Sequence, residues 1–129
     1  MNRKFLITGA IFGLLAVIIG AFGAHGLKPL LDAVARDSFE TGVKYQMYHG
    51  LLLLFIGGFK MPSFRFQKPI FYLLLFGVIC FSGSIYLLAT NNLTTIDFTA
   101  IALVTPLGGT LLIAAWIFLL VEFIKFKSK

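Results

Sequence analysis

Charged residues are scarce in this sequence, and their scarcity excludes most classes of protein. Only 12% of the 129 residues are charged and 59% are hydrophobic, whereas soluble domains average about 25% charged and about 45–50% apolar residues. The mean hydropathy of +0.96 therefore excludes an ordinary soluble domain. A disordered chain is also excluded, because such chains are poor in aromatic residues and here 16% are aromatic. The composition predicts one integral membrane domain over residues 1–129.

Cysteine and the usual catalytic motifs are also nearly absent. Cys80 is the only cysteine, which excludes an intramolecular disulfide and a cysteine metal cluster. No HExxH, P-loop or dinucleotide-binding pattern occurs, and no acid within an apolar run can complete a Ser–His–acid triad. We therefore expect no enzyme activity, no metal and no cofactor. The alternative is axial ligation of a haem by His25 and His49, which a helix bundle can provide.

Long apolar runs are what the sequence does contain, and they predict an all-α bundle of four transmembrane helices. We expect spans at about residues 5–25, 43–60, 69–90 and 98–122, since roughly 20 apolar residues cross the hydrocarbon core. The second run is short, but the helical pattern before it can supply the missing turns. The first run is longer than the core of a signal peptide, about 7–15 residues, so we expect it to be a retained span.

The basic residues predict the direction of the four spans. The formal net charge is +6, and an excess of lysine and arginine marks the cytoplasmic side. The excess lies at both termini and between the second and third spans, whereas the first loop is balanced and the third holds only Asp97. We therefore expect both termini in the cytoplasm. The basic residues on that side are Arg3, Lys4, Lys60, Arg65, Lys68, Lys125, Lys127 and Lys129.

The first outer loop contains its own helix signals. Pro29 suits a first helical turn, and the apolar side chains that follow predict a short interfacial helix over residues 30–35. Asp37 and Glu40 have capping-box spacing and predict that the second long helix begins there. The alternative is a short extramembrane turn packed on the bundle.

Small residues recur at four-residue spacing and predict close helix packing. Such stripes favour a tight bundle and allow contact between protomers of a homo-oligomer, while a glycine-lined conduit is the functional alternative. Pro106 is expected to kink the fourth span, and a broken helix of this kind can form a transport site. The packing residues are Gly9, Gly13, Gly20, Gly50, Pro106, Gly108 and Gly109.

Four motifs carry a resemblance to a known family: GAFGAHGL at residues 20–27, YQMYHGL at 45–51, FSGSIYLL at 81–88 and TPLGGTLLIAAW at 105–116. Over essentially its whole length the chain closely resembles the small four-helix membrane family called domain of unknown function 423, the YgdD/YwdK-like proteins. Gly50 stands where the family more often has alanine. The resemblance implies a bacterial inner-membrane protein and brings no activity, substrate or catalytic residue.

Polar residues of all four spans fall in the outer half of the predicted bundle. We expect His49, about 6 Å below the start of its span, to face the interior and to form a hydrogen bond with a group on another span. Ser82, Ser84 and Thr105 are the nearest candidates. This polar layer is the candidate ligand site, and structural hydrogen bonding or an outer aromatic belt is the alternative. Its members are His25, Tyr45, Gln46, Tyr48, His49, Ser82, Ser84 and Thr105.

Two classes of function follow. The first is a non-enzymatic membrane protein with a scaffolding, accessory or envelope-related role, whose partners are membrane lipids and not nucleic acid. The second is a transporter, channel, or lipid- or small-molecule-binding protein that uses the polar layer. The second class predicts a cavity between helices that reaches His25, His49 and Ser84.

Overall fold

The computed structural model describes residues 2–60, 64–93, 95, 97 and 99–126, and these residues form helices and turns. There are four long helices: α1 (Arg3–Phe22), α2 (Ala33–Gly58), α3 (Gln67–Ala89) and α4 (Val104–Lys125). A π-helical turn, Gly23–Leu27, extends α1, and two short 3₁₀ turns, Asn91–Leu93 and Thr99–Ile101, precede α4. The predicted all-helical character is therefore confirmed. Lys127 and Lys129 lie outside the described residues, as does part of the Lys60–Lys68 loop.

Among the residues that the structure describes, three helical segments are long and apolar enough to cross a membrane: Arg3–Leu27, Gln67–Ala89 and Thr99–Lys125. α2 has 26 residues, which is ample length. The first half of α2 carries four charged side chains, more than any of these three segments contains, and they lower its hydropathy. These are Arg36, Asp37, Glu40 and Lys44.

Neighbouring helices run antiparallel, with α1 packed along α2, α2 against α3 and α3 against α4. The backbone N–H of Asn2 donates to the carbonyl of Gly57 at 2.8 Å, which joins the start of α1 to the end of α2. We call this end of the bundle, with Asn2, Lys60 and Lys125, the terminal end. The opposite end, with the α1–α2 and α3–α4 connections, is called the loop end.

Glycines mark the closest helix approaches. A Cβ added at Gly9 would lie 2.7 Å from the carbonyl oxygen of Gly50, so α1 and α2 meet backbone to backbone. A Cβ at Gly108 would collide with the α3 backbone at Phe81. At the other predicted glycines, an added Cβ would meet side chains at longer distances. It would lie 3.9 Å from Met47 at Gly13, 3.2 Å from Val43 at Gly20 and 3.6 Å from Phe81 at Gly109.

One apolar core extends from the middle of the bundle to the terminal end. Leu53, Ile70 and Leu74 are fully buried in it, and the rings of Phe5 and Phe71 meet edge to face at 5.1 Å between α1 and α3. Because these apolar side chains occupy the terminal half, polar side chains inside the bundle lie mostly nearer the loop end.

α2 begins one turn earlier than predicted. The Asp32 carboxylate caps it by accepting a hydrogen bond from the backbone N–H of Ala35 at 2.7 Å. The helix then continues without interruption through Asp37, so the predicted interfacial helix at residues 30–35 and the helix start at Asp37 are wrong. Asp32 already satisfies an N–H of the first turn, and the preceding residues form a turn in which Leu30 donates to Leu27 at 2.8 Å.

Pro106 does not kink α4, because it lies in the first turn of that helix. The backbone N–H groups of a first turn have no intrahelical acceptor, so proline removes no bond there. The expected kink is therefore wrong, and α4 is continuous from Val104 to Lys125. The interpretation of a broken-helix transport site loses its structural basis with it.

The turn before α4 is held by Asp97. Its carboxylate accepts hydrogen bonds from the backbone N–H of Thr99 at 3.0 Å and from the hydroxyl of Thr99 at 2.8 Å. The pKa of the exposed Asp97 carboxyl is lowered, and the hydrogen bond from the Thr99 N–H is the largest cause. The α3–α4 connection is thus shaped by a local carboxylate cap.

Candidate functional site

Gln46 is the centre of a polar link across three helices. Its amide nitrogen donates to the carbonyl of Phe12 on α1 at 2.9 Å, and its amide oxygen accepts from the hydroxyl of Tyr86 on α3 at 2.7 Å. Gln46 is 5% exposed. An amide can donate and accept at once, and here both capacities join α2 to its two neighbours.

Two serines of α3 make further bonds between helices. Ser82 donates to the carbonyl of Gly42 on α2 at 2.7 Å, which is possible because glycine exposes its backbone to a close neighbour. The hydroxyl groups of Ser84 and Thr105 are hydrogen-bonded to each other and join α3 to α4. Ser84 also contacts the carbonyl of Phe81 in its own helix at 3.0 Å.

His49 is buried in the bundle and is hydrogen-bonded to a group on another helix, as expected, but that group is an indole rather than one of the candidate hydroxyl groups. Trp116 of α4 donates its ring N–H to Nε2 of His49 at 3.0 Å. Nδ1 lies 2.7 Å from the carbonyl oxygen of Tyr45. Since an indole can only donate, Nε2 is the acceptor and the proton of a neutral ring is on Nδ1.

The depth of His49 explains why the hydroxyl groups do not reach it. Along α2, His49 is about 24 Å from Ala33 at 1.5 Å per residue, because the helix begins well before Tyr45. Ser84 and Thr105 lie closer to the loop end. Both ring nitrogens of His49 already have protein partners, so in this arrangement neither is left for a haem iron or a ligand.

Three predicted site residues lie outside the buried group. His25 is exposed in the π-helical turn, and Tyr45 and Tyr48 are 41% and 54% exposed. The Tyr45 ring contacts Phe81 of α3 at 5.0 Å between ring centroids. The polar layer therefore divides into two groups. The side chains of one group form hydrogen bonds within the bundle, and its members are Gln46, His49, Ser82, Ser84 and Thr105. The other group is the three exposed residues.

The sequence patterns did not indicate that Trp116, Tyr86 and Glu122 form hydrogen bonds across the bundle. Glu122 is 5% exposed and accepts a hydrogen bond from the backbone N–H of Phe66 at the start of α3. The signal for Trp116 was its indole N–H inside an apolar run, because a buried indole normally finds an acceptor.

Two clefts open at the loop end. One of about 410 Å³ lies between the end of α1 and the start of α2. The other, of about 590 Å³, lies between the start of α2, the end of α3 and the start of α4, and Thr105 and Pro106 line it. Neither cleft is lined by His25, His49 or Ser84, so neither is the joining cavity that a transport function predicted.

Comparison with known proteins finds relatives over nearly the whole chain. The UPF0382 membrane protein of Staphylococcus saprophyticus is 40% identical over 92% of this chain and 95% of its own length. The UPF0382 membrane protein YwdK of Bacillus subtilis is 36% identical over 96% of this chain and 98% of its own length. The UPF0382 inner membrane protein YgdD of Escherichia coli is 38% identical over 99% of this chain and 95% of its own length.

No solved structure matches the chain. The family described as "Protein of unknown function (DUF423)" matches residues 19–109, which includes three of the four sequence motifs completely and the start of the fourth. With this match and the full-length relatives, the predicted resemblance is confirmed: the chain belongs to the DUF423 family of UPF0382 membrane proteins.

Proposed function

We propose that this protein is a non-enzymatic component of the bacterial inner membrane with a scaffolding or accessory role. One observation carries the proposal: within the described residues, every buried side-chain nitrogen and oxygen atom has a hydrogen-bond partner. A solute path through the bundle needs polar groups that are free to meet the solute. Here Gln46, His49 and Ser82 are each engaged with another helix.

These bonds suit a protein that presents a constant surface within the membrane. Hydrogen bonds between membrane helices contribute about 0.6 kcal/mol on average and up to about 1.7 kcal/mol. Gln46 ties α2 to α1 and α3, His49 ties it to α4, and Ser84 ties α3 to α4. Each helix is thus held to others at defined positions, as a rigid scaffold requires.

For the same protein we propose four spans with both termini in the cytoplasm. α2 as the second span is supported by its antiparallel packing between α1 and α3. The orientation is supported by the charges at the terminal end, where Glu122 is the one acid among the described residues. An excess of basic residues is typical of the cytoplasmic side. The described basic residues at this end are Arg3, Lys4, Lys60, Arg65, Lys68 and Lys125.

The cleft beside Thr105 favours a second candidate function, the binding or passage of a small solute at the loop end. Thr41 and Ser38 of α2 line this cleft together with Thr105, so hydroxyl-bearing residues of two helices border one space. This candidate predicts solute movement that depends on the cleft.

Reconstitution in liposomes distinguishes the two functions. We expect proteoliposomes to release entrapped ions and small solutes no faster than protein-free liposomes, because the buried polar groups are paired. The matched variants are Thr105→Leu, which narrows the cleft, and Thr110→Leu, an exposed position further along α4. Protein-dependent release that Thr105→Leu abolishes and Thr110→Leu preserves would contradict the scaffold proposal and establish the second candidate.

A further inference from the structure

The cleft between α1 and α2 at the loop end combines an apolar floor with charged walls. It encloses about 410 Å³, and Gly20, Ala24 and Val43 form part of its floor. The small α1 residues leave room there, and the π-helical turn Gly23–Leu27 continues the same wall. π-Helical turns inside membrane and soluble helices occur frequently at functional sites.

Five charged side chains line the same cleft: Lys28, Arg36, Asp37, Glu40 and Lys44. Arg36, Glu40 and Lys44 follow at intervals of four residues on α2, a spacing that places their side chains next to one another on the helix surface. In the structure none of the five side chains forms an ion pair or hydrogen bond with another described residue. The cleft therefore presents separated charges of both signs that do not satisfy one another.

We propose that this cleft binds a phospholipid whose headgroup carries a phosphate and a primary ammonium, as in phosphatidylethanolamine. Lys28, Arg36 and Lys44 contact the phosphate, because cationic donors bind phosphate oxygens strongly. Asp37 and Glu40 accept from the ammonium group, and one acyl chain lies along the floor at Gly20, Ala24 and Val43. A headgroup with a phosphate next to an ammonium can contact Arg36 and Lys44 with one group and Glu40 with the other, although these side chains form no ion pairs with one another.

The ligand class is set by the combination of features rather than by charge alone. A free phosphate uses the cations but leaves the apolar floor and both carboxylates without a partner. A lipid with an anionic glycerol headgroup uses the cations and the floor but meets Asp37 and Glu40 with repulsion. Diacylglycerol uses only the floor.

Titration of the full chain in detergent tests the proposal. The probes are short-chain phosphatidylethanolamine, short-chain phosphatidylglycerol, inorganic phosphate and short-chain diacylglycerol, with binding followed by native mass spectrometry and calorimetry. We expect saturable binding of phosphatidylethanolamine, weaker by about tenfold for phosphatidylglycerol, and no saturation by the other two. Equal or tighter binding of phosphatidylglycerol, phosphate or diacylglycerol overturns the proposal.

Two matched pairs of variants locate the site. Ala24→Phe fills the cleft, whereas Ala21→Phe adds the same ring to a neighbouring exposed position of α1 that does not line it. Arg36→Gln removes a cation of the cleft, whereas Arg3→Gln removes one at the terminal end. We expect Ala24→Phe and Arg36→Gln each to bind phosphatidylethanolamine about tenfold more weakly, and the two control variants to bind it as the unmodified chain does. Unchanged binding in either of these two folded variants, or equal loss in both members of a pair, overturns the assignment.

Discussion

His49 has two hydrogen bonds with different consequences. The bond to Tyr45 stays within one helix, whereas the bond from Trp116 joins α2 to α4. Hydrocarbon offers the indole no alternative acceptor, so removing the imidazole leaves a donor without a partner. The residue is thus better placed to hold two helices together than to take part in proton transfer.

A double-mutant cycle measures this bond. We expect His49→Leu to lower the free energy of unfolding by about 1–3 kcal/mol, because an unpaired buried polar group costs that much. His49→Gln retains an acceptor and should cost less. Trp116→Phe and the double variant His49→Leu/Trp116→Phe complete the cycle, with a coupling energy of about 1 kcal/mol. Strict additivity in detergent unfolding would show that the bond contributes nothing.

At the scale of helices, the small residues of α1 serve contact within the chain. Gly9 meets the backbone of Gly50, and Ala16 is buried. The rest of α1 exposes large apolar side chains such as Leu14 and Val17, as a helix in contact with lipid does. This part of the small-residue stripe is therefore used for packing between α1 and α2 within the chain.

Glycine substitutions separate close packing from helix propensity. We expect Gly9→Ala to lower thermal stability in detergent by about 1–3 kcal/mol, because the new methyl group would lie 2.7 Å from the Gly50 carbonyl oxygen. Gly83→Ala is the control, since no atom of another helix lies within 4 Å of its added Cβ, and alanine should stabilise the helix there by up to about 1 kcal/mol. Equal melting temperatures for both variants would show that α1 and α2 do not meet at Gly9.

At the scale of the whole molecule, charge and apolar packing are separated along the bundle. The terminal end combines the apolar core with a nearly acid-free set of basic residues, and the loop end holds charges of both signs around two clefts. Because an excess of lysine and arginine marks the cytoplasmic side, this difference between the two ends is the basis of the proposed orientation.

Cysteine labelling tests that direction. In a Cys80→Ala background, Arg65→Cys at the terminal end should be labelled by a membrane-impermeant reagent only after the cells are opened. Asn92→Cys, in the α3–α4 connection at the loop end, should be labelled in intact cells. The reverse pattern would invert the proposed topology, and labelling of both positions from one side would exclude an odd number of spans between them.

The amino-acid sequence by itself determined the membrane class, the helical fold, the number of long helices and the family, because composition and apolar run length depend on each residue separately. Only the tertiary structure decided which groups pair. Asp32 rather than Asp37 begins α2 because the connection from α1 allows an earlier cap. Pro106 is harmless because α4 starts at Val104, and His49 pairs with Trp116 because helix register and rotation place an indole beside it. Register and rotation arise from all contacts at once, so no local pattern in the chain specifies them.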